Sequence, residues 1–211
     1  YKYHRGGDVK VLNPIGGGSD GALVLLTGVI PDDWDVYFNG WDRTNDKSTI
    51  TAGSTIHHPE GDIKKISIYE TSPADATWEN GAYKAYWEIV YTKGVTQGGS
   101  SGAPMFNQNG LVIGTLTGGN VACDNPGGTD VFGKLWYHWD KAADPNLHMK
   151  KYLDPTNTGK TIIAGLLNDN GEVRELVLEK TNVDILRNTS VEVNIISGNR
   201  GYRTSSSDDN I

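Results

Sequence analysis

The stretch from Gly94 to Leu116 limits the fold more than any other part of this chain. Its first half, Gly94-Val95-Thr96-Gln97-Gly98-Gly99-Ser100-Ser101-Gly102-Ala103, is a loop with four glycines and two adjacent serines. Its second half, Pro104-Met105-Phe106-Asn107-Gln108-Asn109-Gly110-Leu111-Val112-Ile113-Gly114-Thr115-Leu116, is an apolar run, an Asn-Gly turn and a second apolar run, the pattern of a β-hairpin. Short runs of the same kind recur at Val9–Leu12, Ala22–Leu26, Val36–Phe38, Tyr83–Tyr91 and in the residues after Asp130. The 211 residues include 27 glycines, ten tyrosines and six tryptophans, which suits short strands joined by many turns. The expected fold class is all-β.

The loop also carries chemistry. Glycines let successive backbone N–H groups turn into one concavity, because without a Cβ they reach conformations other residues avoid. A serine hydroxyl at the centre of such a concavity can attack a carbonyl carbon while the N–H groups hold the charge that develops on oxygen. Ser101 is the candidate nucleophile, and the N–H groups of Gly99 and Ser101 are the candidate oxyanion hole. Gly98-Gly99-Ser100-Ser101-Gly102 also satisfies G-x-S-x-G, which would make Ser100 the nucleophile of an esterase elbow. That motif needs a helix immediately after it, and here a hairpin follows. A loop that only turns the chain is the plain alternative.

Composition removes other classes. A net charge of −7, with the acid dispersed along the chain, gives no basic face for nucleic acid. No run approaches the roughly eighteen apolar residues of a membrane span. Cys123 is the only cysteine, so neither an internal disulfide nor a cysteine-based zinc site can form within this sequence. His57, His58, Glu60 and Asp62 are metal-ligand types, but adjacent histidines on a strand point to opposite faces, which favours a packed, hydrogen-bonded rim. No metal or cofactor is expected. The chain opens on Tyr1 in mid-pattern and reads as N-terminally truncated.

Gly99-Ser100-Ser101-Gly102-Ala103-Pro104 resembles the G-D-S-G-G-P of chymotrypsin-like serine proteases, with Ser101 as nucleophile. Four further segments resemble bacterial lysyl endopeptidases. They are Ser19-Asp20 before an apolar strand, Gly40-Trp41-Asp42-Arg43, Ile56-His57-His58-Pro59 running into Lys64-Lys65-Ile66-Ser67, and Thr129-Asp130-Val131-Phe132-Gly133. With Leu153-Asp154-Pro155 and Thr158-Gly159 closing it, the resemblance covers about residues 8–167.

The resemblance implies a chymotrypsin-like double antiparallel β-barrel whose first barrel is incomplete here. It gives Asp20 the role of the triad carboxylate that orients a histidine, and Asp130 that of a pocket carboxylate selecting lysine. In trypsin the pocket aspartate stands six residues before the nucleophile, and that position here is Val95. Leu116-Thr117-Gly118-Gly119 resembles the edge strand that pairs with substrate backbone, and Trp78 resembles the tryptophan lining the cleft. Thr117 stands where lysyl endopeptidases carry a histidine.

The base is missing from the pattern, because the family's order is His, Asp, Ser and only His4, in the wrong setting, precedes Asp20. Two readings follow: a serine endopeptidase whose histidine lies outside this chain, or a protease-fold module that binds peptides without cleaving them. The expected domains are 1–167, the protease domain, and 168–211, a linker and the opening strands of a further β module. The expected partner is a protein or peptide substrate, with no nucleic acid and no membrane. The protein is expected to be a monomer, secreted by a bacterium.

Overall fold

The computed structural model describes residues 5–34, 36–169 and 172–175. Its contacts divide into two units, Tyr1–Ile30 with Gly40–Ile163, and Pro31–Asn39 with Ala164–Ile211. In chain order the strands are β1 (Gly7–Asn13), β2 (Gly21–Leu26), β3 (Tyr37–Phe38), β4 (Trp41–Asp42), β5 (Gly53–His57), β6 (Lys65–Tyr69) and β7 (Ala74–Ala76). Then come β8 (Tyr86–Ile89), β9 (Pro104–Asn107), β10 (Val112–Gly119), β11 (Asp130–Lys134), β12 (Ile162–Ile163), β13 (Leu166–Asp169) and β14 (Glu172–Glu175). Among the described residues there are also two short α-helices, α1 (Leu135–Asp140) and α2 (Lys150–Leu153), and four single-turn 3-10 helices. The protein is all-β, as its sequence predicts.

In the larger unit the main sheet runs β6-β5-β9-β10-β11-β8-β7, with β4 on β10 and β12 on β4. It stays open among the described residues. The hairpin expected after the serine loop is β9–β10, turned at Gly110 with φ +70° and held by Asn107 Oδ1, which accepts from the N–H groups of Asn109 and Leu111. The helix an esterase elbow needs after Ser100 is replaced by β9, so that alternative fails. Trp87, Met105, Ile113, Leu116 and Phe132 form the core on one face of the sheet. The smaller unit contains the sheet β14-β13-β3. Of the expected further β module, 168–211, all but residues 168–169 and 172–175 lies outside the described residues.

β11 is buried at all five positions because both of its faces are covered. Phe132 faces the core. On the other face, Gly133 meets the Gly16–Asp20 turn so closely that a Cβ there would stand 1.9 Å from Ser19 O. β2, an apolar run in the sequence, is half exposed at Val24, Leu25 and Leu26, because among the described residues it pairs only with β1 and no layer covers the outer face of that two-stranded sheet. Lys134 is fully buried yet satisfied: its ammonium donates to Asp75 Oδ1 and to Asn45 Oδ1 at 2.8 Å and lies 3.8 Å from the centre of the Trp87 ring. Arg43 ties the end of this unit down. Its backbone N–H donates to Thr161 O at 2.9 Å, its Nε to Lys160 O at 2.9 Å and its Nη2 to Gly159 O at 3.0 Å.

Candidate active site

Two successive turns build the serine loop. Ser100 N–H donates to Gln97 O at 3.0 Å with Gly99 at φ +90°, and Ala103 N–H donates to Ser100 O at 3.0 Å with Gly102 at φ +83°. A glycine at the third position of each supplies the left-handed conformation that a type II turn requires. Ser101 therefore occupies the exposed corner of the second turn, while Ser100 points inward and is buried. Gly102 N–H donates to Leu116 O at 2.7 Å and Leu116 N–H to Ala103 O at 2.9 Å, which docks the loop on β10. The N–H groups of Gly99 and of Ser101 make no hydrogen bond among the described residues. Two donors beside an exposed hydroxyl are what a developing oxyanion needs.

Asp130, at the start of β11, is 2% exposed. Its Oδ2 accepts from Tyr91 Oη at 3.0 Å and from Thr96 Oγ1 at 2.5 Å. Burial raises its pKa above the usual carboxylate value, and the two hydroxyls work against that rise. Its Oδ1 lies against Gly119, where a Cβ would stand 2.2 Å away. Thr96 is five residues before Ser101, and Cys123 Sγ lies 3.5 Å from Gln97 Oε1. The serine loop, Asp130 and the loop after Gly119 are thus joined by side-chain contacts. Gly118 brings in Trp78, whose Cζ2 would stand 3.5 Å from an added Cβ, and Thr117 presents a buried hydroxyl with no hydrogen-bond partner.

Asp20 sits apart from this group in its bonding. It takes a left-handed conformation, φ 55°, and its carboxylate makes no hydrogen bond among the described residues. Its turn is pinned to the β11 side: His138 Nε2 donates to Ser19 O at 3.0 Å, Tyr86 Oη to Gly18 O at 3.2 Å and Tyr137 Oη to Gly17 O at 3.0 Å. Gly133, which receives this turn, pairs with Thr115, the neighbour of Leu116 that anchors the serine loop. β10 and β11 are therefore the frame that carries Asp20 and Ser101 in common.

The described histidines all bond groups other than Ser101. His57 bonds Ser100 and Ser67, His58 Nδ1 lies 3.0 Å from Asp62 O, His138 holds Ser19 O, and His148 Nε2 lies 2.8 Å from Ala142 O. His4 lies outside the described residues. The adjacent pair divides as expected, His57 inward and His58 outward. Sequence reasoning passed over Lys134, whose one signal was a lysine inside the run Val131-Phe132-Gly133-Lys134-Leu135-Trp136, and over the link from Thr96 to Asp130.

The family model described as lysyl endopeptidase, C-terminal domain, matches residues 7–133. A curated relative, the lysyl endopeptidase of Pseudomonas aeruginosa, is 32% identical over 95 residues, 43% of this chain and 20% of that protein. The chain thus matches about a fifth of that relative's length. Among solved structures, Rv3671c from M. tuberculosis H37Rv, a serine-to-alanine mutant in its inactive form, aligns with a TM-score of 0.40 and 15% identity over 61% of this chain and 58% of that one. No helix among the described residues is long and apolar enough to cross a membrane.

Proposed function

Because the chain belongs to the family of lysyl endopeptidase C-terminal domains, we propose that it forms the nucleophile-bearing and pocket-bearing part of a serine endopeptidase that cleaves after lysine. The observation that carries this reading is the unpaired N–H groups of Gly99 and Ser101 beside the exposed Ser101 hydroxyl, on a loop whose Thr96 holds the buried Asp130. A histidine takes the Ser101 proton as the hydroxyl attacks the scissile carbonyl, and Asp20 fixes that histidine's tautomer and orientation. The two N–H groups hold the oxyanion, the amine leaves with the proton, and water then hydrolyses the acyl-enzyme.

Lysine selection follows from electrostatics. An ammonium entering beside Asp130 compensates a buried carboxylate, whereas a neutral side chain leaves it unpaired. The peptide adds as a strand along Leu116–Gly119, with Trp78 flanking it and Thr117 facing it. All four described histidines are bonded to groups other than Ser101, so we assign the base to the parent protein outside these residues. On this reading the two barrels of a chymotrypsin-like fold meet at the cleft, the first incomplete here, and residues 168–211 lead into a further module. The partner is a protein or peptide met by a monomeric enzyme secreted by a bacterium.

The parent protein, assayed on matched peptides ending in Lys, Arg and Leu, tests this. Lysine-selective turnover that falls about a thousandfold or more with Ser101→Ala is the expected result. Selectivity should be lost with Asp130→Asn, and the 211-residue chain alone should turn over very slowly. The engaged histidines favour a second reading, a peptide-binding module without chemistry. Lysine-peptide binding with no cleavage by the folded parent protein would select it.

A further inference from the structure

His57 reaches the serine loop from inside the sheet. The alternation of β5 turns Thr55 and His57 inward and Ile56 outward. The His57 ring touches two hydroxyls, Ser100 Oγ at 2.9 Å from Nδ1 and Ser67 Oγ at 3.1 Å from Nε2. Ser67 Oγ in turn donates to Val95 O at 3.0 Å. A hydroxyl has one proton, so the contact between Ser67 and Nε2 must be an Nε2–H donating to oxygen. In the neutral ring Nδ1 is then an acceptor and takes the Ser100 O–H. Burial lowers the His57 pKa, and the neighbouring His58 pushes the same way, so the neutral ring this order requires is the favoured one.

The order runs without a gap from Ser100 O–H to Nδ1, from Nε2–H to Ser67 Oγ, and from Ser67 O–H to Val95 O. It grips the segment 95–100 at both ends. Within that segment Thr96 donates to Asp130, and Ser101 follows directly on Ser100. In a type II turn the central peptide can flip with little movement of its ends. Here the central peptide is the one between Gly98 and Gly99, and a flip would turn the Gly99 N–H away from the oxyanion position. Ser100 can resist that flip only if its hydroxyl has somewhere to be held, and His57 supplies the place.

We propose that His57 is a positioning residue for Ser101: through Ser100 and Ser67 it fixes the turn that presents the Gly99 and Ser101 N–H groups and sets the spacing between that turn and Asp130. The inference rests on the reading of Ser101 as nucleophile. It assigns work to three side chains, His57, Ser67 and Ser100, that touch neither substrate nor reacting atoms.

Two measurements test it. Nitrogen-15 NMR of the histidine-labelled chain reads the ring directly: at neutral pH His57 should show a protonated Nε2 and a bare Nδ1 in slow exchange. In the parent protein, His57→Leu and Ser100→Ala should each lower kcat on a lysine-ending peptide about a hundredfold, the scale of a misplaced reacting group, with KM held within about threefold. His57→Asn, whose Oδ1 stands where Nδ1 stood, should recover about tenfold of that loss. A protonated Nδ1 in the spectrum, or a folded His57→Leu protein with unaltered kcat, would overturn the proposal while leaving Ser101 as nucleophile. Full activity in Ser101→Ala would overturn the nucleophile reading and this inference together.

Discussion

Thr96 Oγ1 donates to Asp130 Oδ2 at 2.5 Å, so the segment that leads into the serine turn is also what steadies the buried carboxylate. Burial raises the Asp130 pKa, with Thr96 and Tyr91 opposing the rise only in part. The folded protein therefore holds the Asp130 proton more tightly than the unfolded chain does. Stability is present below the ordinary value of 3.8 and is lost as pH rises through the folded value.

Asp130→Asn should accordingly raise Tm at neutral pH, by roughly 2–4 °C if the relief is about 1 kcal/mol in a domain of this size. A lysine analogue such as N-acetyl-lysine amide should raise the Tm of the wild-type chain and not that of Asp130→Asn. Calorimetry of the two proteins with and without the analogue decides it. A Tm rise by the analogue in both would place ammonium binding somewhere other than Asp130.

The buried histidines act in the opposite sense. Burial lowers the pKa of His57 and of His138 below 6.5. As pH falls through 6.5 the unfolded chain takes up protons that these folded rings refuse, so stability should fall by up to about 1.4 kcal/mol per pH unit for each ring until its folded value is reached. Urea unfolding at pH 7 and pH 5 should show the loss, and His138→Asn should lessen it.

Lys134 and Asp75 should respond unequally to replacement. Lys134→Met removes a fully buried ammonium and leaves Asp75, whose side chain is 27% exposed and also lies 3.8 Å from Lys47. Asp75→Asn leaves the buried ammonium without its carboxylate, the costlier case, at about 3–5 kcal/mol. Denaturant midpoints should rank wild type above Lys134→Met and Lys134→Met above Asp75→Asn.

Neighbouring glycines on β10 should separate as sharply. A Cβ at Gly118 meets Trp78 at 3.5 Å, ordinary contact, whereas at Gly119 it would stand 2.2 Å from Asp130 Oδ1 and 2.3 Å from Thr129 O. Gly118→Ala should keep its stability and lysine-analogue affinity. Gly119→Ala should lose about 1–3 kcal/mol, as overpacking does, and most of that affinity. Thermal shift with the analogue reads both.

The hairpin at Pro104–Leu116 was legible because Asn-Gly between two apolar runs leaves little else to form, and His57 inward with His58 outward follows from the period of a strand. The exposure of β2 was not legible, since an apolar run does not say how many layers will cover it. Nor was α1: Leu135-Trp136-Tyr137-His138-Trp139-Asp140 is aromatic enough for a strand, and its packing on Val131, Ala85 and Ala142 overrides that preference. Ser101 and Gly99 could be named from local pattern, Asp130 only through the family resemblance. The contacts that join them, Thr96 to Asp130 and Gly102 to Leu116, span 34 and 14 residues and arise only when the sheet closes them together.

If the parent protein selects lysine as proposed, every copy of this chain is also a lysine-bearing peptide. Lys160 is exposed in the stretch between α2 and β12. The carbonyl that would have to be attacked is the one Arg43 Nε holds, with the carbonyls on either side gripped by the same arginine. The Arg43 Nε bond must let go before that carbonyl can turn outward, and the bonds on either side resist the same movement. On the proposed function, cleavage at this bond would be paced by local opening of the chain rather than by collision, with Arg43 as the clasp that sets the pace.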